Sequence, residues 1–258
     1  MPDLGLEPLT ARSLALSALL GTHPPQLPAR ALVALGALFG VADGAMRTAL
    51  SRMVDAGELH GNDGIYALGD RMLRRQASQD LGRRPAVEPW DGTWWFAIVD
   101  AGGRPVSERR SFRTSMRDHR MGELRPDVWL RPANIEGPPA APGLLVVRGP
   151  IAEQDPDALA RRFWDLEALA ATSRTLTALV GDARAWIAAD GVDALVDTIL
   201  VSVAVVRFLL VEPHLPVELV GAGWAPDELR AAYDGLEVEH GALLSSFLTE
   251  ASRRSSVT

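Results

Sequence analysis

Arg47, Thr48, Ser51 and Arg52 recur within six residues of LFGVADGAMRTALSRMVDAGE, the stretch from Leu38 to Glu58. At helical spacing Arg47 sits beside Ser51 and Thr48 beside Arg52, so the four share one side of a helix, with Met46, Ala49, Leu50 and Met53 on the other. A guanidinium can donate two parallel hydrogen bonds to guanine O6 and N7, and a Ser or Thr hydroxyl reaches a base edge or a phosphate. The chemistry open to this strip is noncovalent reading of a DNA major groove. Phosphate contacts would fix its position and base contacts would carry the sequence information. The plain alternative is a solvated face, so the flanking elements must be consulted.

Upstream, Ala29 to Phe39 carries Leu32, Leu35, Leu38 and Phe39 at helical spacing, one stripe for a core. Gly40 predicts a stop in the left-handed conformation, and Asp43 predicts the N-cap of the next helix. A helix, a short turn and a second helix bearing the polar strip make a helix-turn-helix. Gly57 closes the second helix, and ELHGNDGIYAL, residues 58–68, reads as two short strands around a Gly/Asn/Asp turn. A hairpin directly behind such a helix is the wing of a winged helix. Its tip carries Asn62, which can meet DNA, and Asp63, which repels phosphate.

Three separated stretches resemble the PaaX family of bacterial repressors: ARSLALSALLG at 11–21 followed by LFGVADGAMRTALSRMVDAGEL at 38–59; WDGTWWFAIVD at 90–100 with MGELRPDVWLRP at 121–132; and FLLVEPHLPVELVGAGW at 208–224. They follow the family's order and cover nearly the whole chain. The resemblance implies an α+β protein in three parts: a winged-helix DNA-binding domain over 1–84, a central ferredoxin-like βαββ domain over 85–152, and a helical C-terminal effector and dimerisation domain over 153–258. It further implies a homodimer on double-stranded operator DNA, released by an acyl-CoA effector of the phenylacetyl-CoA kind in aromatic catabolism. The chain departs from the family at the acidic GNDG tip. It departs again where Arg120, Met121, Gly122 and Glu123 replace the family's usual Gly-Phe-Gly.

In the central part, Thr93–Val99 reads as a strand, Arg109–Gly122 as a helix, and Asp127–Leu130 and Leu144–Val147 as two further strands. Trp94, Trp95 and Trp129 with Arg113, Arg117, Arg125 and Arg131 offer flat apolar surface plus cations. That combination suits an aryl or acyl group joined to the phosphates of coenzyme A, so Trp94, Arg113, Arg117, Trp129 and Arg131 are the expected effector contacts. Aromatics in strands also serve as core. The segment 71–92 reads as a linker that begins as a helix, whose Arg71, Arg74, Arg75, Arg83 and Arg84 either touch the DNA backbone or are solvated. Asp157–Ala189 and 192–210 read as helices, followed by short Pro-punctuated helices with Pro226, Asp227 and Glu228 in a first turn.

Composition narrows the field. With no Cys among 258 residues, disulfides, thiolate metal sites and cysteine catalysis are excluded. Every basic side chain is Arg, because Lys is also absent. Residues 1–84 hold nine Arg and eight acidic residues, while the remainder is acidic and brings the net charge to −7, a split compatible with DNA binding confined to the head. The N-terminus has no signal-peptide pattern, and Leu195–Val211, though apolar, is interrupted by Asp197 and Arg207; a cytoplasmic protein independent of membrane is expected. The five His are scattered and no nucleotide or nucleophile fingerprint occurs, so no metal, cofactor or catalytic residue is expected. The competing class is a metal-dependent nuclease. It would place a metal on Asp100 at the end of the first central strand, as small CRISPR-associated ferredoxin-fold endoribonucleases do, whereas an Asp entering the Ala101-Gly102-Gly103 turn is the plainer reading.

Overall fold

The computed structural model describes residues 9–83, 87–99, 106–152 and 155–254. It is an α+β protein with two small antiparallel sheets, and by contacts the chain divides into two compact units. The first comprises Met1–Asp80, Leu176–Val206 and Ala231–Thr258; the second comprises Leu81–Thr175 and Arg207–Arg230.

The first unit begins with α1 (Ala11–Leu20), capped by Thr10, whose hydroxyl accepts the Ser13 N–H at 3.2 Å. Strand β1 (Gln26–Pro28), α2 (Ala29–Leu38), α3 (Asp43–Asp55), β2 (Leu59–Asn62), β3 (Ile65–Leu68) and α4 (Asp70–Arg83) follow. The strands lie in the order β1-β3-β2, with Asn62 and Pro28 both opposite Ile65. Strand β1 is an addition to the sequence reading: three residues bounded by prolines carry no alternation signal. Leu14, Leu19, Leu32, Leu35, Met46, Leu50, Met53 and Leu59 pack in one core with Leu195, Ile199, Leu244 and Leu248. Burying each such side chain contributes about 1.5–3 kcal/mol before entropy is charged.

In the second unit, β4 (Thr93–Val99), α5 (Val106–Asp118), β5 (Gly122–Arg125), β6 (Val128–Pro132) and β7 (Leu144–Pro150) form a sheet ordered β5-β6-β4-β7. On one face Ala97 and Trp129 pack with Met116 and Phe112 of α5; on the other Trp94 and Leu130 pack with Leu159 and Ala160 of α6 (Pro156–Phe163) and Leu219 of α9 (Val217–Val220). Strand β5 occupies residues that the sequence reading ends as helix and leaves as a connection. Helix α5 stops earlier because Arg120 turns to φ 56°, and Asp127 at φ 68° then folds β5 back onto β6.

In chain order α6 is followed by α7 (Leu166–Asp190), a 3₁₀ turn (Gly191–Ala194), α8 (Leu195–Val211) and, after α9, α10 (Ala225–Arg254). The helical pattern after Asp157 is broken at Trp164–Asp165, where the Asp165 carboxylate accepts the Ala168 N–H at 2.9 Å and starts a new helix. Of the short helices expected over 212–235, α9 is one, and Pro226, Asp227 and Glu228 do lie in a first turn, but the helix they open runs on for 30 residues, with Gly235 and Gly241 accommodated inside it. The 46 residues from Leu166 to Val211 include a window apolar enough to cross a bilayer, with mean hydropathy 2.3; Leu195 and Ile199 of that stretch lie in the core of the first unit.

A buried polar cluster holds the EPHLP segment of the second unit. The Glu212 side chain is fully buried and ion-paired to Arg230, and its Oε1 accepts the His214 N–H at 3.0 Å. Arg120 Nε donates to the Glu212 carbonyl at 2.7 Å, and Arg131 donates to the Pro132 carbonyl at 3.0 Å and to those of His119 and Pro213 at 3.2 Å. Burial pulls the Arg131 guanidinium down to about 9.

Candidate nucleic-acid interface

The connection between α2 and α3 is set by small residues. Gly40 adopts φ 72°, a conformation costly for a side-chain-bearing residue, and Val41 N–H bonds back to the Gly36 carbonyl at 2.9 Å. A Cβ at Gly36 would lie 2.7 Å from Met46 Cε, so glycine there lets α2 approach α3 closely. Helix α3 then buries Met46, Leu50 and Met53 almost completely. Arg47, Thr48, Ser51 and Arg52 are all exposed on its opposite side.

Asp43, expected as the N-cap, is instead the first residue of α3, and Ala42 occupies the cap with no side-chain hydrogen bond. The Asp43 carboxylate takes a different partner, accepting from Arg47 Nε at 2.5 Å. Both side chains are more than half exposed, so this i,i+4 pair contributes only about 0.3–0.5 kcal/mol and a phosphate or base can displace it. Thr48 Oγ1 donates to the Gly44 carbonyl at 2.7 Å, which leaves its lone pairs as acceptors. The Arg52 guanidinium has no partner among the described residues.

The hairpin after α3 turns through Asp63 (φ 48°) and Gly64 (φ 75°), the two consecutive left-handed residues of a type I′ turn. Asn62 is exposed at its tip, and Ile65 beside it is 44% exposed. The whole arrangement is anchored by Glu58, a buried carboxylate that sequence reasoning passes over. It accepts from Arg12 of α1 at 2.9 and 2.5 Å and from Arg71 of α4 at 2.9 Å. The Arg12 hydrogen bond, aided by the charges of Arg12 and Arg71 and opposed by burial, holds the Glu58 carboxyl below the usual range.

Because the two guanidiniums are half-exposed and can rehydrate, Glu58→Ala is expected to cost about 1.5–3 kcal/mol in urea unfolding at pH 7, as for hydrogen bonds to charged groups. The lowered folded-state pKa makes this stabilisation present above the unfolded value and lost as pH falls below it, so the penalty shrinks in acid. An equal penalty at pH 7 and pH 3 would show that packing, rather than charge, is what the substitution removes.

The five expected effector residues do not come together. Trp94 is 1% exposed in edge-on contact with Trp90, at 5.9 Å between ring centroids. Trp129 is 2% exposed on the opposite face of the sheet, edge-on to Phe112 at 6.5 Å. Both rings are consumed by the two layers that cover the sheet, and Arg131 by the buried cluster around Glu212. Of the five, only Arg113, 3.6 Å from Glu123, and Arg117 are exposed. Arg125 is exposed as well, whereas Trp95 is half-buried and donates to the Ile135 carbonyl at 3.1 Å. Asp100 lies outside the described residues, as does Arg84. Among the described residues no three His, Asp or Glu converge as a metal site.

The sequence profile described as PaaX-like protein matches residues 10–72, the span from α1 to the start of α4. Among solved structures, the chain is similar to the uncharacterized protein Rv0674 from Mycobacterium tuberculosis, with 36% identity, a TM-score of 0.72, and coverage of 93% of this chain and 99% of the other. No curated protein matches. The PaaX-like match points to the class of transcription regulators, a family that is generally regulatory rather than enzymatic. Residues 10–72 therefore match the PaaX-like family, the one that the sequence resembles.

Proposed function

We propose that this protein is a sequence-specific repressor whose residues 1–84 form a winged helix-turn-helix, with α3 as recognition helix and the β2-β3 hairpin as wing. The observation that carries the reading is the strip of Arg47, Thr48, Ser51 and Arg52, held out to solvent by a helix whose other side is locked into the core. Such a strip fits the major groove in width and in hydrogen-bonding chemistry. Residues 85–152, a ferredoxin-like domain in this reading, and residues 153–258 form the body of a cytoplasmic homodimer. Its two recognition helices enter half-sites of an inverted repeat about 34–36 Å apart, or a multiple of that. An acyl-CoA thioester of the phenylacetyl-CoA kind binds the body more tightly when the heads are mis-spaced, which lowers operator affinity by linkage. The burial of Trp94, Trp129 and Arg131 directs the search for its seat away from the sheet interior.

Footprinting on the DNA flanking the gene should reveal a protected inverted repeat. On that site Arg52→Ala should cost about 1–3 kcal/mol of binding and relax the base preference at one position. Equal losses on operator and random duplex would assign Arg52 to phosphates, and absence of any protected repeat would overturn the repressor reading.

A further inference from the structure

The tip of the hairpin is the wrong charge for its proposed task. Asp63 stands at the turn, and a wing alongside a duplex brings its tip near phosphates, which Asp63 repels. The α3 strip compensates only in part, because Arg47 shares its charge with Asp43. Affinity for duplex DNA rises with the number of phosphates neutralised, so a neighbouring cation has work to do at this end of the sheet.

We propose that Arg30 is a phosphate anchor that supplies beside the wing tip the positive charge the tip lacks; this rests on the DNA-binding reading and adds a contact outside α3. Its place follows from the sheet register. Pro28, the last residue of β1, lies opposite Ile65, the first residue of β3 after the turn. The next residue, Ala29, donates its N–H to the carbonyl of Gly64 in the turn itself, at 2.8 Å. Arg30 follows directly, so the backbone pins it next to the tip. It is exposed, and its guanidinium has neither an ion pair nor a hydrogen bond among the described residues. Asn62 and Pro28 are each paired with Ile65 of the middle strand, and the three therefore share one face of the sheet at the end beside Arg30. The partner chemistry is the sugar-phosphate backbone, independent of base sequence.

The test is the salt dependence of binding by the full chain to a labelled random-sequence duplex, which needs no knowledge of the operator. Arg30→Ala should make the slope of log K against log salt shallower by about one unit, and Arg30→Lys should retain the wild-type slope. Arg161→Ala, which removes the same charge from an exposed site on α6, should also retain it. A wild-type slope in Arg30→Ala, or an equal change in Arg161→Ala, would overturn the anchor while leaving the DNA-binding reading intact. Failure of the wild-type protein to bind the duplex at low salt would overturn both.

Discussion

Glu212→Ala is expected to lower the unfolding free energy by about 3–5 kcal/mol, the range for deleting one partner of a buried ion pair. The carboxylate is fully buried; Arg230 is ion-paired to it, and Arg120 and Arg131 feel its charge. Arg120 and Arg131 spend their donors largely on carbonyl oxygens, which satisfy hydrogen bonding but do not cancel charge. Removing Glu212 would leave Arg230, whose side chain is only 15% exposed, near the buried Arg131 and the half-buried Arg120 with only the exposed Asp227 as counter-ion. Urea unfolding at pH 7 reads the effect. Glu212→Gln keeps the acceptor for the His214 N–H and loses only the charge, so it isolates the electrostatic share. A loss below about 1 kcal/mol for both variants would show that the surrounding carbonyl dipoles suffice.

The second large effect is a pH dependence in the first unit. His240 on α10 is mostly buried, its Nδ1 lies 3.1 Å from Thr198 Oγ1, and burial pushes its pKa down from 6.5 to about 4. Above pH 6.5 the ring is neutral both folded and unfolded, and contributes no pH dependence. Between that value and about 4 only the unfolded chain takes the proton, so acid favours unfolding. Below about 4 both states are protonated and the loss is complete, at about 3 kcal/mol for a shift of this size. His240→Gln should remove this increment, so the stability difference between wild type and variant must change across pH 7 to 4 in urea titrations. Parallel curves would show that the ring is hydrated in the folded state.

Legibility in the sequence followed periodicity. The 3.6-residue rhythm of Met46, Leu50 and Met53 revealed α3 and its solvent strip, and the Asn-Asp-Gly run revealed the hairpin. Strands β1 and β5 were invisible because each is three or four residues long and is defined by its neighbours rather than by alternation. Asp43 looked like a cap because its type suits one; the backbone instead placed Ala42 there, and the carboxylate turned to Arg47. Burial was the harder failure. Residue type puts Arg131 and Glu58 at the surface, and only partners distant in sequence, Pro213 for one and Arg12 for the other, draw them inside. Tryptophan alternation in β4 and β6 likewise cannot tell whether each face of the sheet is covered, and here both are. Arg30 had no motif to betray it, since its neighbourhood is created by the register of β1 on β3.

The core of the first unit has a consequence for modularity. Leu195, Ile199, Leu244 and Leu248 complete the apolar interior that the N-terminal helices begin, so the N-terminal segment is not a portable cassette. Excised after its linker and grafted onto another protein, it would expose oily surface that its own distal helices normally seal. Drift in those helices is therefore constrained by the stability of the N-terminal segment that they cover.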